Sequence, residues 1–408
     1  MKKGWQSVAL GEVCEFIDRR GVTPEKLGSR FKITGFRVIS AKNIRRREID
    51  TTIGEQRFVD DATYRRWMKS PLLPDDVILT SEAPLGEPAY VEQELSWCLG
   101  QRLFGVRSDK SKLLGRFLFY AFQASPVRDD MLSRATGATA QGIRQSELTK
   151  VELPLPPLME QQRIVAVLDE AYAGLATAQA HAEKNLQNAR ALFESHLHSV
   201  FTHRGKGWRA TKLGEEIDLL AGFAFKSAQY TTRERDIRLL RGDNIIQGCL
   251  RWEDVQRWPL HDTKEYERYW LREGDVVLAM DRPWVKAGMK HALITSEDLP
   301  CLLVQRTARL RCGATLDNRF LKLLIGSSAF ASHVLGVQTG IGVPHISGQQ
   351  IKDFEFARPS LGEQRHIADN LDALAAETQR LARLYERKLA ALAELKKSLL
   401  HAAFSGQL

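Results

Sequence analysis

The side chains whose type and grouping could do chemistry in this chain are cationic. Arg19-Arg20, Lys42 with Arg45-Arg46-Arg47, and Arg144 stand in the first half. Lys226, Arg238 with Arg241, and Arg282 with Lys286 and Lys290 stand in the second. A guanidinium forks two N–H donors onto a phosphate or onto the O6/N7 edge of guanine, and an ammonium meets phosphate as a compact charge. Clusters of this kind also occur as plain solvated faces, and both readings stand at this point. The dipeptides Thr136-Gly137 and Thr339-Gly340 open two loops that either join such a contact face or merely turn the chain.

Covalent and redox chemistries find no matching pattern. There is no G-x-x-x-x-G-K-[ST] phosphate loop and no G-x-S-x-G nucleophile elbow. Pro156-Pro157 follows Leu155, not the Asn or Asp of an adenine-methylating motif, and Gly340-Ile341-Gly342 lacks the rest of a dinucleotide fingerprint. His345 is expected to make a structural hydrogen bond. The five cysteines, Cys14, Cys98, Cys249, Cys301 and Cys312, form no C-x-x-C, and no His cluster joins them at metal-ligand spacing. No metal is expected. A disulfide framework does not suit a chain of this size, so a reducing cytoplasm is expected. No stretch of 18 apolar residues exists, which excludes a helical membrane span.

The elements that must position the cations come in duplicate. Eleven of the 34 residues from 136 to 169 recur 203 positions later, where unrelated segments would share about two. Gly4-Trp5 returns as Gly207-Trp208, Asp76-Val77-Ile78-Leu79 as Asp275-Val276-Val277-Leu278, Gln101-Arg102 as Gln305-Arg306, and Phe201 as Phe404. Register slips only between about 20 and 110. A period this long marks a duplicated domain with its connector, not a solenoid. The 408 residues carry 59 Lys plus Arg against 50 Asp plus Glu, a net charge of +9. Charge alone is compatible with simple solubility, but charge and duplication together point to a long, doubled acidic partner such as duplex DNA.

Within each copy the pattern changes once. Residues 1–157 and 204–359 carry short apolar runs broken by turn residues, with strands expected at Phe36–Ser40 and Val77–Thr80 and a buried helix at Leu113–Gln123. Strands and helices mix without βαβ alternation, which predicts an α+β, or irregular α/β, domain. Residues 158–203 and 360–408 are helical in period. Ile164, Leu168, Ala171, Leu175, Ala178 and Ala182 step by three and four. After a slip, Leu186, Ala189, Phe193, Leu197 and Val200 continue the stripe. Ile367, Leu371, Leu374, Leu381, Tyr385, Leu392, Leu395 and Leu399 hold a heptad frame, interrupted by Thr378 and Lys388. Ser360 and Glu363 form a capping box at the second start. Two helices of about 40 residues, each about 60 Å long, exceed one small domain and are expected to pair as an antiparallel coiled coil with an approximate two-fold axis.

These features together resemble the specificity subunit of a type I restriction–modification system. The likeness rests on Pro154-Leu155-Pro156-Pro157-Leu158-Met159-Glu160-Gln161-Gln162-Arg163-Ile164, on its weaker second copy from Arg358 to Ile367, on the closing Phe404-Ser405-Gly406-Gln407-Leu408, and on the Thr136-Gly137-Ala138-Thr139 and Thr339-Gly340-Ile341-Gly342 loops. The family's Gly-Asp strand opening is kept at Gly274-Asp275-Val276 and altered to Asp75-Asp76-Val77. The resemblance implies a non-catalytic DNA reader with two target-recognition domains. Each would read half of a split target, and the helices would set the gap and dock two modification subunits. Those subunits would bring S-adenosylmethionine, which this chain is not expected to bind, and restriction subunits would join them. The helix starts at Glu160-Gln161 and Glu363-Gln364 are the candidate docking residues. Negative charge there also favours the helix dipole, so a local role stays open. A coiled-coil adaptor binding DNA without sequence preference, or a DNA-modifying enzyme with an unrecognised site, remain the alternatives.

Overall fold

The computed structural model describes residues 4–137, 141–203, 205–286, 288–340 and 343–408, apart from the side chain of Asp262. Ala138 and Thr139, Ile341 and Gly342 of the two Thr-Gly loops, and Arg204 of the linker, lie outside the described residues.

Short β-branched and aromatic runs close into sheets in both halves. In the first, Val77–Thr80 pairs antiparallel with Leu103–Ser108. Cys14–Asp18 and Pro88–Tyr90 complete four strands. A second sheet places Phe36–Ile39 between Arg57–Val59, antiparallel, and Cys98–Leu99, parallel. The second half repeats this plan. Val276–Ala279 pairs with Thr307–Cys312, flanked by Ile217–Ala221 and His291–Leu293, and Gln247–Gly248 adds a fifth strand. Ile237–Leu240 lies between Arg257–Trp258 and Cys301–Leu303. In each half the start of the domain is tied to its end: Gln6–Ala9 pairs with Glu152–Leu155, and Arg209–Lys212 with Glu355–Arg358. Helices Gly115–Ala121 and Ser125–Ser133, and their counterparts Asn318–Gly326 and Ser328–Val337, pack on the larger sheets. The class is α+β.

The strand openings show why their residues repeat. The turn before each central strand requires a left-handed residue, Gly274 at φ +87° and Asp75 at φ +76°. The next residue is a buried aspartate. Asp76 takes both arms of Arg107 at 2.8 and 2.7 Å and the Leu73 N–H at 2.8 Å. Asp275 takes both arms of Arg311 at 2.7 Å and the Arg272 N–H at 2.8 Å. A buried carboxylate is tolerated because it is paired with a guanidinium and hydrogen-bonded to the backbone.

The long helices span Leu158–Thr202 and Leu361–Ser405. The chain divides into two compact units, Met1–Glu183 with Arg387–Leu408 and Lys184–Glu386, so each unit holds one domain and part of both helices. The four consecutive segments read from the sequence therefore do not coincide with the compact units. Within the first unit, Ile164 and Leu168 share a core with Leu400, Ala403 and Phe404, and the Lys396 ammonium lies 4.5 Å from the centre of the Tyr172 ring. Within the second, Leu197 clusters with Ala368 and Leu371, and Arg190 pairs with Glu386 at 2.7 Å. Position rises along one helix as it falls along the other, so the pairing in each unit is antiparallel.

The apolar stripe of the first helix is buried or half-buried throughout. On the second helix the seam departs from a strict heptad. Leu395 is 47% exposed, whereas Leu389 and Lys396 are half-buried and Thr378 is buried. A helix of 3.6 residues per turn drifts against a 3.5-residue repeat, and the seam moves onto neighbouring positions. The capping box also closes differently. Ser360 Oγ accepts the Glu363 N–H at 3.4 Å, but the Glu363 carboxylate takes the Trp208 indole N–H at 2.8 Å.

Among the described residues no single helix is long and apolar enough to cross a membrane. The bent pair Asn318–Gly326 and Ser328–Val337 is apolar because Phe320, Leu321, Leu324, Phe330 and Val334 fill the second domain's core.

Candidate nucleic-acid interface

In each domain three segments distant in sequence meet at one edge of the larger sheet. In the first, Ser81 donates its N–H to the Arg102 carbonyl at 2.9 Å and accepts the Ile143 N–H at 3.0 Å. Thr136 and Gly142 close the Thr-Gly loop with reciprocal bonds of 2.9 Å. In the second, Met280 donates to the Arg306 carbonyl at 2.8 Å and accepts from Ile346 at 2.9 Å. Thr339 and His345 close the loop at 2.9 and 2.8 Å, reinforced by Thr339 Oγ1 and His345 Nε2 at 2.9 Å. The strand end, the turn preceding the next strand and the Thr-Gly loop thus form one knot per domain. Thr136, Gly137, Thr339 and Gly340 are exposed on it, and so is Arg144 beside it.

The cations singled out in the sequence divide into three groups. The first is built into the scaffold. Arg20 grips Asp18 at 2.9 and 2.7 Å, donates to the Ile143 carbonyl at 3.1 Å and lies 3.9 Å from the Phe104 ring centre. Arg19 is half-buried and donates to the Asp18 carbonyl at 3.3 Å. Arg238 donates to the Glu297 carbonyl at 2.8 Å and stacks over Trp252. Arg241 pairs with Asp243 at 3.2 Å. Lys290 donates to the Gly242 carbonyl, and burial holds its ammonium below the ordinary lysine value, with Asp243 opposing and Arg251 and Arg282 adding to the shift.

The second group borders the knots. Lys42 is exposed and lines a cleft of about 510 Å³ with Ser40, Gln101 and Arg102. Arg282 is exposed at φ +45°, its N–H on the Pro344 carbonyl at 2.7 Å. Lys226 is exposed before the turn Ser227–Gln229.

The third group sits apart, beside the long helices. Arg46 and Arg47 form the two-residue turn between Ile44–Arg45 and Glu48–Ile49, both left-handed at φ +51° and +70°. That hairpin lines a cavity of about 1000 Å³ with Tyr90, Arg116, Asp169, Tyr172 and Lys396. Lys286, which follows the strand Trp284–Val285 paired with Gly288–Met289, lines the corresponding cavity of about 950 Å³ with Arg190, Phe193 and Asp372. Arg45 is exposed on its strand. The basic residues therefore do not make one continuous stripe.

Two of the candidate docking residues are corrected. Gln161 and Gln364 are both 0% exposed. Gln161 Oε1 accepts the Leu114 N–H at 2.9 Å, and its Nε2 donates to the carbonyls of Lys112 and Pro156 at 2.8 and 2.9 Å. Gln364 does the same with Asp317, Thr315 and Pro359 at 2.8, 3.0 and 2.9 Å. Fully enclosed and fully bonded, neither side chain has a face for a partner. Each is a clamp that fixes its helix start to its own domain. Glu160 pairs with Arg163 at 2.7 Å, and Glu363 remains exposed while holding Trp208.

The sequence reading missed Arg102 and Arg306 with their carboxylate partners. Arg102 Nε meets Glu82 at 2.9 Å and Arg306 Nη1 meets Asp281 at 3.2 Å. The repeated Gln-Arg dipeptide was the available signal.

Burial pushes the thiols of Cys14, Cys98, Cys301 and Cys312 up to about 12, and burial lowers His291 to about 4. Among the described residues no group of three or more His, Cys, Asp or Glu could hold a metal ion.

Exposed cationic loops thus stand on a doubled α+β scaffold, and each compact unit holds an antiparallel helix pair. Comparison with known proteins adds to this geometry. Residues 2–186 match the type I restriction modification DNA specificity domain. The chain is 37% identical over 177 residues to the type I restriction enzyme EcoAI specificity subunit of Escherichia coli, a match taking in 43% of this chain and 30% of that relative's length. It is 22% identical to the EcoKI specificity subunit of Escherichia coli strain K12, over 100% of this chain and 90% of the relative. A solved chain of a type I R-M system, described for complex assembly and conformational transition, superposes with a TM-score of 0.76 at 20% identity, covering 100% of this chain and 99% of that one. Over its first half by the family model, and over its whole length at low identity, the chain is similar to type I restriction–modification specificity subunits.

Proposed function

We propose that this chain is the sequence-reading subunit of a type I restriction–modification complex. Residues 1–157 and 204–359 each recognise one half of a bipartite target in double-stranded DNA, and the paired helices set the gap between the halves. The observation that carries this reading is the pair of equivalent knots. Both domains keep the same hydrogen-bonded frame, yet the exposed loops around it carry different cations: Lys42 and Arg144 in one, Arg282 and Lys226 in the other. A constant frame with variable loops suits two readers of different base sequences.

The chain performs no chemistry of its own in this reading. S-adenosylmethionine binds to the modification subunits, which methylate DNA, and restriction subunits join them. The cytoplasm is the proposed site, where all five thiols stay reduced. Two modification subunits dock at the two like helix starts, through surface residues such as Met159, which is 77% exposed, and Glu363, not through the enclosed glutamines. Like surfaces bind like subunits in equivalent ways.

Exchange of residues 204–359 for another member's domain tests the reading. Methylome sequencing should show one half of the methylated sequence changed and the other retained. Changes in both halves would overturn modular reading. Methylation by the purified chain alone would overturn the non-catalytic role, and a saturated complex with a single modification subunit would overturn the stoichiometry.

A further inference from the structure

Several residues that recur between the copies are consumed inside the protein. The Asp76/Asp275 and Gln161/Gln364 pairs are buried and bonded. The turn-forming Asn43, half-buried, and Asn244, buried, are bonded too. Asn43 holds the Ser40 N–H and the Asp50 and Ile53 carbonyls, and Asn244 holds the Arg241 N–H and the Arg251 carbonyl. Gln101-Arg102 and Gln305-Arg306 are different. All four residues are exposed, although both flanking positions in each copy, Gly100 and Leu103, Val304 and Thr307, are buried.

The backbone of the two tips is alike: Arg102 and Arg306 both sit at φ +67°. That conformation is strained for a residue with a Cβ, and glycine would adopt it freely. Neither arginine repays the strain by packing. Their side chains are 52% and 72% exposed, and each meets one carboxylate, Glu82 and Asp281, that is itself part of the same knot. Ion pairs this exposed contribute little to stability. The strain is thus kept in both copies to hold an arginine outward at a fixed place beside the Thr-Gly loop.

What such an arginine meets follows from the duplication. The two domains differ in their exposed loops, so their half-sites differ in bases. A feature identical in residue type, conformation and kind of counter-ion suits the part of DNA common to both half-sites, which is the phosphate backbone. We propose that Arg102 and Arg306 are phosphate clamps, one per half-site, held by Glu82 and Asp281 until a DNA phosphate displaces the carboxylate. The inference rests on the DNA-reading function above and adds the residues and ligand chemistry. The clamps supply affinity and register; sequence is read by the loops around them. Gln101 and Gln305 stand beside the arginines and add a neutral amide donor to the same strand.

The test uses the full chain with its modification subunits, one duplex carrying the methylated target and one unrelated duplex, over a range of salt concentrations. Arg102→Gly and Arg306→Gly should each weaken binding to both duplexes about tenfold and lower the salt slope by about one. The methylated sequence should stay the same, and thermal stability should hold or rise because glycine relaxes the turn. Glu82→Gln and Asp281→Asn, which free the arginine, should tighten binding to both duplexes. An unchanged salt slope in the arginine variants, a change of bases in one half-site, or lost stability without lost binding would overturn the clamp. Failure of the unaltered complex to prefer its target would instead overturn the reading function itself.

Discussion

Replacing Gln161 by leucine separates a clamp from a docking residue. Leucine roughly matches the volume and keeps the helix, but it leaves the Leu114 N–H and the carbonyls of Lys112 and Pro156 without the partner that Gln161, itself 0% exposed, gives them. Each stranded group costs about 1 kcal/mol at the low end, so Gln161→Leu should lose about 3 kcal/mol. For a unit of about 200 residues that lowers the melting temperature by roughly 6–12 °C. Calorimetry on the full chain should show the loss in the transition of the unit formed by residues 1–183 and 387–408, while the other keeps its temperature. Gln364→Leu should reverse the pattern, because it repeats the three bonds in the second unit. A transition moved by less than about 1 kcal/mol, with loss of modification-subunit binding, would refute the clamp and restore a surface role.

Gly174 is exposed in mid-helix, and a methyl group added there would meet nothing within 4 Å, so Gly174→Ala should stabilise the first unit by about 1 kcal/mol in urea denaturation. His291 is 7% exposed and burial lowers it from 6.5 to about 4. The unfolded chain therefore takes up the proton first as pH falls, and the second unit should lose about 3 kcal/mol between pH 6.5 and 4, with no effect above that window. His291→Gln should flatten this slope in a pH series of melts. Seven residues inserted beside Gly174, with seven more at the facing position near Glu394, preserve the seam and add about 10 Å, or about three base pairs. The methylated target should gain that gap with both half-sites intact; full activity at the old gap would show that the helices do not set spacing.

Much of this architecture is legible in the linear chain, because its signals are local or periodic. The 203-residue repeat, the two long helices and the antiparallel pairing follow from patterns that a linear chain displays openly. The strand at Val77–Thr80 announces itself by an apolar run behind a turn. Tertiary structure decided the roles of individual polar residues. Glu160-Gln161 and Glu363-Gln364 look alike in sequence, as acidic and amide residues in a first helical turn, yet one of each pair is enclosed because its helix start faces backbone groups from a loop 47–49 residues away in the chain. Likewise Arg20 and Arg102 are both arginines near turns. Asp18 and Phe104 draw the first inward, while a left-handed backbone holds the second outward. Burial and partner geometry depend on segments brought together across the fold, and composition and spacing carry no trace of them. The seam of the second helix shows the same division: its period predicted a stripe, but only packing against the first helix replaced Leu395 by Leu389 and Lys396.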